Sequence, residues 1–145
     1  DIRRISHDLH PAALDHLGLA GALKELRSRL AKSVDYRISL ELDPALQLGK
    51  AEQLQVYRVV QELVSNSLRH SGGDAIDIRL AREGEQIVAS VCDNGNANAE
   101  AGGEGIGLSV VSERAAMLGG TFTIDANGQG TSARLTFPAA EESRS

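Results

Sequence analysis

The stretch Val56-Tyr57-Arg58-Val59-Val60-Gln61-Glu62-Leu63-Val64-Ser65-Asn66-Ser67-Leu68-Arg69-His70 decides how the rest of the chain is read. Its apolar residues recur at helical spacing, and the pattern reaches back to Lys50, so residues 50–70 are expected to form one helix. Val56, Val60, Leu63, Val64 and Ser67 fall on the inner side. Glu62, Asn66 and His70 are spaced four apart and project together as a row of acid, amide and imidazole on a face that also carries Val59. A carboxylate and an amide oxygen one turn apart can hold a hard cation such as Mg²⁺, and the same row is equally compatible with a solvated helix face.

Downstream, Ser71-Gly72-Gly73-Asp74 closes the helix. Ala75–Leu80 and Gln86–Cys92 read as antiparallel strands joined by a turn at Arg82-Glu83-Gly84-Glu85. Asp93 stands where the second strand ends, so its carboxylate is held at the rim of a sheet, where it can accept from an exocyclic amine; Asp93-Asn94-Gly95 is also an ordinary turn signature. Residues 94–104 contain no large apolar side chain and are expected to form a surface loop. Gly102-Gly103-Glu104-Gly105-Ile106-Gly107 then leads into a helix over Leu108–Leu118. Glycines ahead of a helix N-terminus allow backbone N–H groups to approach a phosphate, although such a run can also be a plain connection. It is neither the dinucleotide fingerprint nor a Walker loop. Gly119-Gly120 stops the helix, and strands Thr121–Asp125 and Ser132–Phe137 flank Asn127-Gly128-Gln129-Gly130. Gly128-Gln129-Gly130-Thr131 reads as a tight hairpin turn with a hydroxyl available to a ligand or a water.

Upstream, Leu19, Leu23, Leu26 and Leu30 form the stripe of a helix over about 18–32, with Gly18 and Gly21 blurring its start. Tyr36, Ile38, Leu40 and Leu42 alternate with polar residues as a half-buried strand, and Asp43-Pro44 turns the chain. Residues 1–10 carry Ile2, Ile5 and Leu9 at helical spacing before Pro11, without an initiator Met, and read as the tail of something longer. The order of elements implies an α+β two-layer sandwich: a mixed sheet of about five strands with helices on one face.

Composition narrows the function classes. The 145 residues include 41% hydrophobic and 3% aromatic residues without Trp, enough for one domain with an aliphatic core. A net charge of -5 without a basic patch argues against nucleic acid. Cys92 is the one cysteine, which excludes a disulfide framework and a thiolate metal site and suits a cytoplasmic setting; no apolar run approaches the roughly 18 residues of a membrane span. His7 and His10 lie in no metal-ligand spacing.

Taken in order, Glu62-Leu63-Val64-Ser65-Asn66, Asp93-Asn94-Gly95, Gly105-Ile106-Gly107-Leu108 and Gly128-Gln129-Gly130-Thr131 resemble the N, G1, G2 and G3 boxes of the Bergerat-type ATP-binding fold shared by histidine kinases, gyrase and Hsp90. Residues 56–62, Leu68-Arg69-His70-Ser71 and Ser112-Glu113-Arg114-Ala115 through Gly119-Gly120 look like the sensor kinases that signal to NarL-type response regulators. His7-Asp8-Leu9-His10-Pro11 through Leu19 resembles their connector between the second dimerisation helix and the catalytic domain.

The resemblance implies an organisation of 1–32 as the end of a dimerisation helix, connector and first catalytic-domain helix, 33–138 as the ATP-binding catalytic domain, and 139–145 as a disordered tail. It implies that Asn66 coordinates Mg²⁺ on the ATP phosphates, that Glu62 polarises the attacking histidine or helps hold the metal, and that Asp93 binds the adenine amino group with Gly95 keeping the turn open. Gly105, Gly107 and Leu108 would form the lid edge near the phosphates, Thr131 would support the adenine site, and Arg69 or His70 would contact phosphate. The expected activity is that of a protein-histidine kinase catalytic domain. It would act on a histidine of dimerisation helices in the same full-length homodimer, with a NarL-type response regulator downstream and the chain alone a monomer or weak dimer. The full-length protein may be membrane-anchored. Two departures stand out: Asn96-Ala97 replaces the usual second glycine after Gly95, and the phosphoacceptor helix is absent. His7-Asp8 looks superficially like an acceptor site, but the Leu-Asp-x-Leu-Gly-Leu pattern that follows fits the connector. A regulatory module of the same fold without ATP turnover, or an anti-sigma-factor-type serine kinase, is the alternative.

Overall fold

The computed structural model describes residues 12–33, 36–43, 46–70, 73–95, 106–126 and 130–139, with the side chains of 12–16, 33, 69, 70, 106–109 and 126 excepted. Its elements are α1 (Ala12–Ser33), β1 (Arg37–Leu42), α2 (Lys50–His70), β2 (Ala75–Glu83), β3 (Gln86–Asp93), α3 (Ile106–Met117), β4 (Thr121–Ala126) and β5 (Thr131–Pro138). The strands form one sheet in the order β1-β2-β3-β5-β4; β1 and β2 are parallel and the other neighbours antiparallel. A parallel pair needs a crossover, and α2 is that crossover. The expected α+β sandwich with a five-stranded mixed sheet is therefore the observed fold.

Strand alternation builds the core. Ile76, Ile78 and Leu80 on β2, Ile87, Ala89 and Val91 on β3, and Ala133, Leu135 and Phe137 on β5 are buried on the face that α2 and α3 cover. From the helix layer, Leu19, Leu23 and Leu26 of α1 and Val56, Val60, Leu63 and Val64 of α2 meet them, as their spacing predicts. Three residues of α2 are buried beyond that expectation: Tyr57, Arg58 and Val59 are 2%, 8% and 0% exposed. A helix packed between two others buries more than one stripe, and α2 touches both α1 and α3. Arg114 of α3 donates to the Gln55 side chain of α2 at 2.7 Å and ties the two helices together.

The ends of α2 and α3 follow from local chemistry. Glu52 accepts from the Gly49 N–H at 2.9 Å, and the Gly49 carbonyl takes the first helical bond from Gln53 at 2.9 Å, a capping box that fixes where α2 begins. Gly119, at φ 74°, lets the Gly119 and Gly120 N–H groups fold back onto the Ala116 and Ala115 carbonyls, both at 2.9 Å, and ends α3.

Three boundaries differ from expectation. A helical segment from Ala12 runs ahead of the expected 18–32 helix and is joined to it across a break at Gly18, whose φ of 76° and ψ of -179° are not helical. The β2–β3 turn is tighter, with Glu83 paired to Gln86 across Gly84-Glu85 alone. Helix α3 starts at Ile106 and not at Leu108, so Gly107 lies in its first turn instead of ahead of it. The proposed helix over 1–10, the loop over 96–105 and the tip of the last hairpin at 127–129 lie outside the described residues.

Candidate functional site

β3 is the middle strand of the sheet, and Asp93 is its last residue. In register, Asp93 faces Ile76 of β2 on one side and Thr131 of β5 on the other. Ile76 is 1% exposed and belongs to the core, so this row lies on the helix-covered side. The side chain of Asp93 accordingly meets α2: Ser67 Oγ donates to Asp93 Oδ2 at 2.7 Å, while the Gly95 N–H donates to Asp93 Oδ1 at 3.0 Å. An ionised carboxylate has about four acceptor directions, so both oxygens retain capacity for a further donor. The result is a half-buried acid with its orientation set from two directions, one of them a different secondary-structure element.

The turn after Asp93 is fastened as well. Asn94 Oδ1 accepts from the Asp74 and Ala75 N–H groups, both at 3.0 Å, and Asn94 Nδ2 donates to Asp74 Oδ1 at 2.8 Å. One amide side chain thus closes the start of β2 onto the end of β3. Two glycines make this closeness possible. A Cβ on Gly73 would lie 2.6 Å from the Gly95 nitrogen and run into Asn94 Oδ1; one on Gly130 would lie 2.5 Å from the Asp93 carbonyl oxygen. Any larger residue at either position would push the Asp93-Asn94-Gly95 backbone out of place.

Helix α2 passes above this strand end. Glu62 and Asn66, one turn apart, are both half-buried, and Asn66 immediately precedes the Ser67 that holds Asp93. Val59, on the same face one turn earlier, is completely buried, so the Glu62–Asn66 row continues a packed face and is not a fully solvated one. Asn66 itself takes part in a polar interaction within the chain. The backbone of Arg69 and His70 completes the last turn of α2; their side chains are outside the described set, as are Gly105, the departure at Asn96-Ala97 and the side chain of Leu108. Gly107 lies in the first turn of α3, where N–H groups have no partner within the helix. Described residues therefore bring Asp93, Gly95 and Thr131 together at one sheet end and tie α2 to it through Ser67, the neighbour of Asn66, with Glu62 one turn before Asn66 on that helix.

Ser67 is the site residue that sequence reading passed over. Helical spacing places it on the inner, packing stripe of α2, where the structure has it, and the signal is that it is the one hydroxyl among Val56, Val60, Leu63 and Val64. A polar group on a packing stripe needs a partner, and here the partner is Asp93. Ser67→Ala keeps the packing and removes the donor. If Asp93 grips a ligand, the variant should bind that ligand about three- to tenfold more weakly, from roughly 1 kcal/mol of lost orientation, with little change in melting temperature; calorimetric titration beside a thermal melt checks it.

A shallower cavity of ≈ 240 Å³ reaches the same strand end from the opposite, open face of the sheet, lined by Arg37, Ser39, Asp77 and Cys92 among others. Ser39 donates to Asp77 at 2.8 Å, and Cys92 Sγ lies 3.4 Å from Ser132 Oγ. Ser39 and Asp77 of its lining are thus engaged with each other, and their face of the sheet is the one opposite α2. Among the described residues no cluster of three or more His, Cys, Asp or Glu side chains could hold a metal by itself. No described helix is long and apolar enough to cross a membrane.

Comparison with known proteins agrees with this geometry. Over 146 residues the chain is 31% identical to the oxygen sensor histidine kinase NreB of Staphylococcus carnosus (strain TM300), covering 97% of this chain and 42% of that protein. It is 32% identical over 144 residues to the sensor histidine kinase MctS of Rhizobium johnstonii, covering 95% of this chain and 31% of that one. The chain thus spans less than half the length of these relatives. Among solved structures, the histidine kinase domain of the blue-light activated histidine kinase from Erythrobacter litoralis EL346 superposes with a TM-score of 0.74 at 20% identity, over 87% of this chain and 63% of that one, and so shares its fold. Residues 51–141, which run from the first turn of α2 through the Asp93 turn to just beyond β5, match the histidine kinase-, DNA gyrase B-, and HSP90-like ATPase family, and the chain belongs to it.

Proposed function

We propose that this chain is the Mg-ATP-binding catalytic domain of a sensor histidine kinase, donating the γ-phosphoryl group of ATP to a histidine on a dimerisation module of the same full-length protein. The observation that carries the reading is the Asp93 carboxylate, held by Ser67 from α2 and by the Gly95 N–H at the end of the central strand. It sits opposite Thr131 and under the helix that carries Glu62 and Asn66. A fixed, half-buried carboxylate with spare acceptor capacity matches the exocyclic amino group of adenine, which needs an acceptor and rejects a donor.

The donor set also suits Mg²⁺. Asn66 and Glu62 supply one or two oxygens, which is what this ion takes from protein when phosphates and water complete its shell. Bound there, Mg²⁺ supplies charge neutralisation to the phosphate oxygens. The chain's own contribution is positional: Asp93, with Gly95 and Thr131 beside it, orients the base, Asn66 holds the metal side of the phosphates, and Glu62 polarises the incoming imidazole. The N–H groups of the first turn of α3, Gly107 included, together with Gly105, Leu108, Arg69 and His70, complete the phosphate side. Phosphoryl transfer is mostly positioning and electrostatics, so such a set is chemically sufficient on the nucleotide side.

The homology over 95–97% of the chain to two sensor histidine kinases favours this activity over a serine kinase of the same fold. The oxygen-sensor relative supports a response regulator as the downstream partner, which we infer to be of the NarL type; a cytoplasmic position for this domain rests on the single cysteine of the sequence. From the sequence resemblance we further propose residues 1–32 as the end of a dimerisation helix, connector and first domain helix, 33–138 as the catalytic domain, and 139–145 as a disordered tail. Titrating ATP into the chain by calorimetry, with Mg²⁺ present, tests the nucleotide reading. Saturable binding with a Kd in the micromolar range, about -8 kcal/mol, is expected. No heat with ATP, when a melt shows the domain folded, would turn the reading to a regulatory module that has kept the fold and lost the ligand.

A further inference from the structure

Helix α1 carries two stripes. Leu19, Leu23 and Leu26 face the core, and Ala20, Lys24 and Arg27, at intervals of four and three, form a second stripe on the neighbouring side, with Leu17 just before the break at Gly18. That second stripe is one wall of a groove of ≈ 540 Å³ whose opposite wall is Leu40 and Leu42 of β1 with Leu46 and Leu48 from the segment before α2. The groove lies on the α1–β1 side of the domain, across the helix layer from α3.

Its volume falls within the range of about 300–1,000 Å³ usual for small-molecule sites, and an apolar lining with a few polar groups is the usual chemistry. Leucines supply the apolar part. Leu17, 59% exposed, leaves a large apolar side chain at the mouth. The polar part is biased in sign. Lys24 and Arg27, on adjacent turns of one face, make no ion pair or hydrogen bond through their side chains among the described residues, and Asp43 is the one acid in the lining. Asp43 already accepts from the Arg82 N–H at 3.4 Å. The lining therefore carries a surplus of one positive charge beside a leucine wall, in a chain whose overall charge is -5.

We propose that this groove is a binding site for a single-chain aliphatic carboxylate, with the hydrocarbon along Leu17, Leu40, Leu42 and Leu46 and the carboxylate at Lys24 and Arg27. Charge complementarity selects an anion, and the one-sided leucine wall selects a chain over a compact polar acid.

The test uses decanoate below the concentration at which it self-associates, titrated by calorimetry into the chain, with decanol, decyltrimethylammonium and vesicles of phosphatidylglycerol as separate arms. Decanoate should saturate a single site. The double variant Lys24→Glu/Arg27→Glu should weaken it by about tenfold or more, and Ala20→Phe, which fills the groove from an exposed helix position, should abolish it while leaving the melting temperature near that of the parent. Decyltrimethylammonium should show no saturable binding. Equal affinity for decanol and decanoate, or decanoate binding untouched by both variants, would overturn the proposal. So would co-sedimentation with the vesicles in the absence of a decanoate site, which would make this face a membrane contact. None of these arms depends on nucleotide, so their failure would leave the ATP site standing, and the reverse holds too.

Discussion

Asp93→Asn should lower the affinity of this domain for ATP by about ten- to hundredfold, the loss of one hydrogen bond to a charged acceptor, roughly 1.5–3 kcal/mol. The substitution keeps shape and volume and changes the pattern of donors and acceptors. In the parent, Ser67 Oγ and the Gly95 N–H each donate to one carboxylate oxygen. Asparagine offers a single oxygen, so one of these donors meets an NH₂ group, and the acceptor that an adenine amine needs is lost or turned away. The diagnostic readout is discrimination and not affinity alone. ATP should lose affinity while inosine triphosphate, whose base presents an oxygen at that position, should lose little or gain. Calorimetric titration of both nucleotides into both proteins measures it, and unchanged preference for ATP in the variant would mean that Asp93 does not read the base.

Asn66→Ala is expected to act on the metal instead. In the parent, Mg²⁺ should strengthen ATP binding, and removing it with EDTA should reverse the gain. In the variant the two titrations should nearly coincide, and phosphoryl transfer to an added histidine-bearing helical module should fall by about a hundredfold or more, the scale on which single electrostatic contacts to a transferring group act. Binding of ATP without Mg²⁺ should be almost the same in the two proteins, because Asp93 and its partners are untouched. An unaltered Mg²⁺ dependence in Asn66→Ala would place the cation elsewhere. Together the two variants divide the site into a base end at the sheet and a phosphate end on α2.

Much of this was legible along the chain because the relevant signals are local. The 50–70 helix announces itself through apolar spacing and begins where Gly49 and Glu52 make a capping box. The strand ending at Asp93 follows from alternation, and the stop at Gly119-Gly120 from the need for a positive φ. Even the pairing of Glu62 with Asn66 is a local fact, since four residues are one helical turn.

What periodicity could not supply are the properties that depend on other elements. The same Glu62–Asn66 row reads as a solvated face or as a cation site; the complete burial of Val59 and the half-burial of both polar residues show that the face is not fully solvated, which periodicity alone does not tell. The hydroxyl of Ser67 becomes meaningful when β3 ends beneath it, 26 residues further along the chain. Gly73 and Gly130 look like turn residues in the sequence, yet their shared role is to let two separate strand ends approach the Asp93 backbone more closely than a Cβ permits. The cation-lined groove beside α1 is likewise absent from any single segment. Amino-acid order determined the elements, their caps and the residue types of the nucleotide site, because helix and strand patterns are set within a few residues. Only the packed sheet and helices decided which side chains meet, because contacts between distant segments form when the chain buries its apolar faces together.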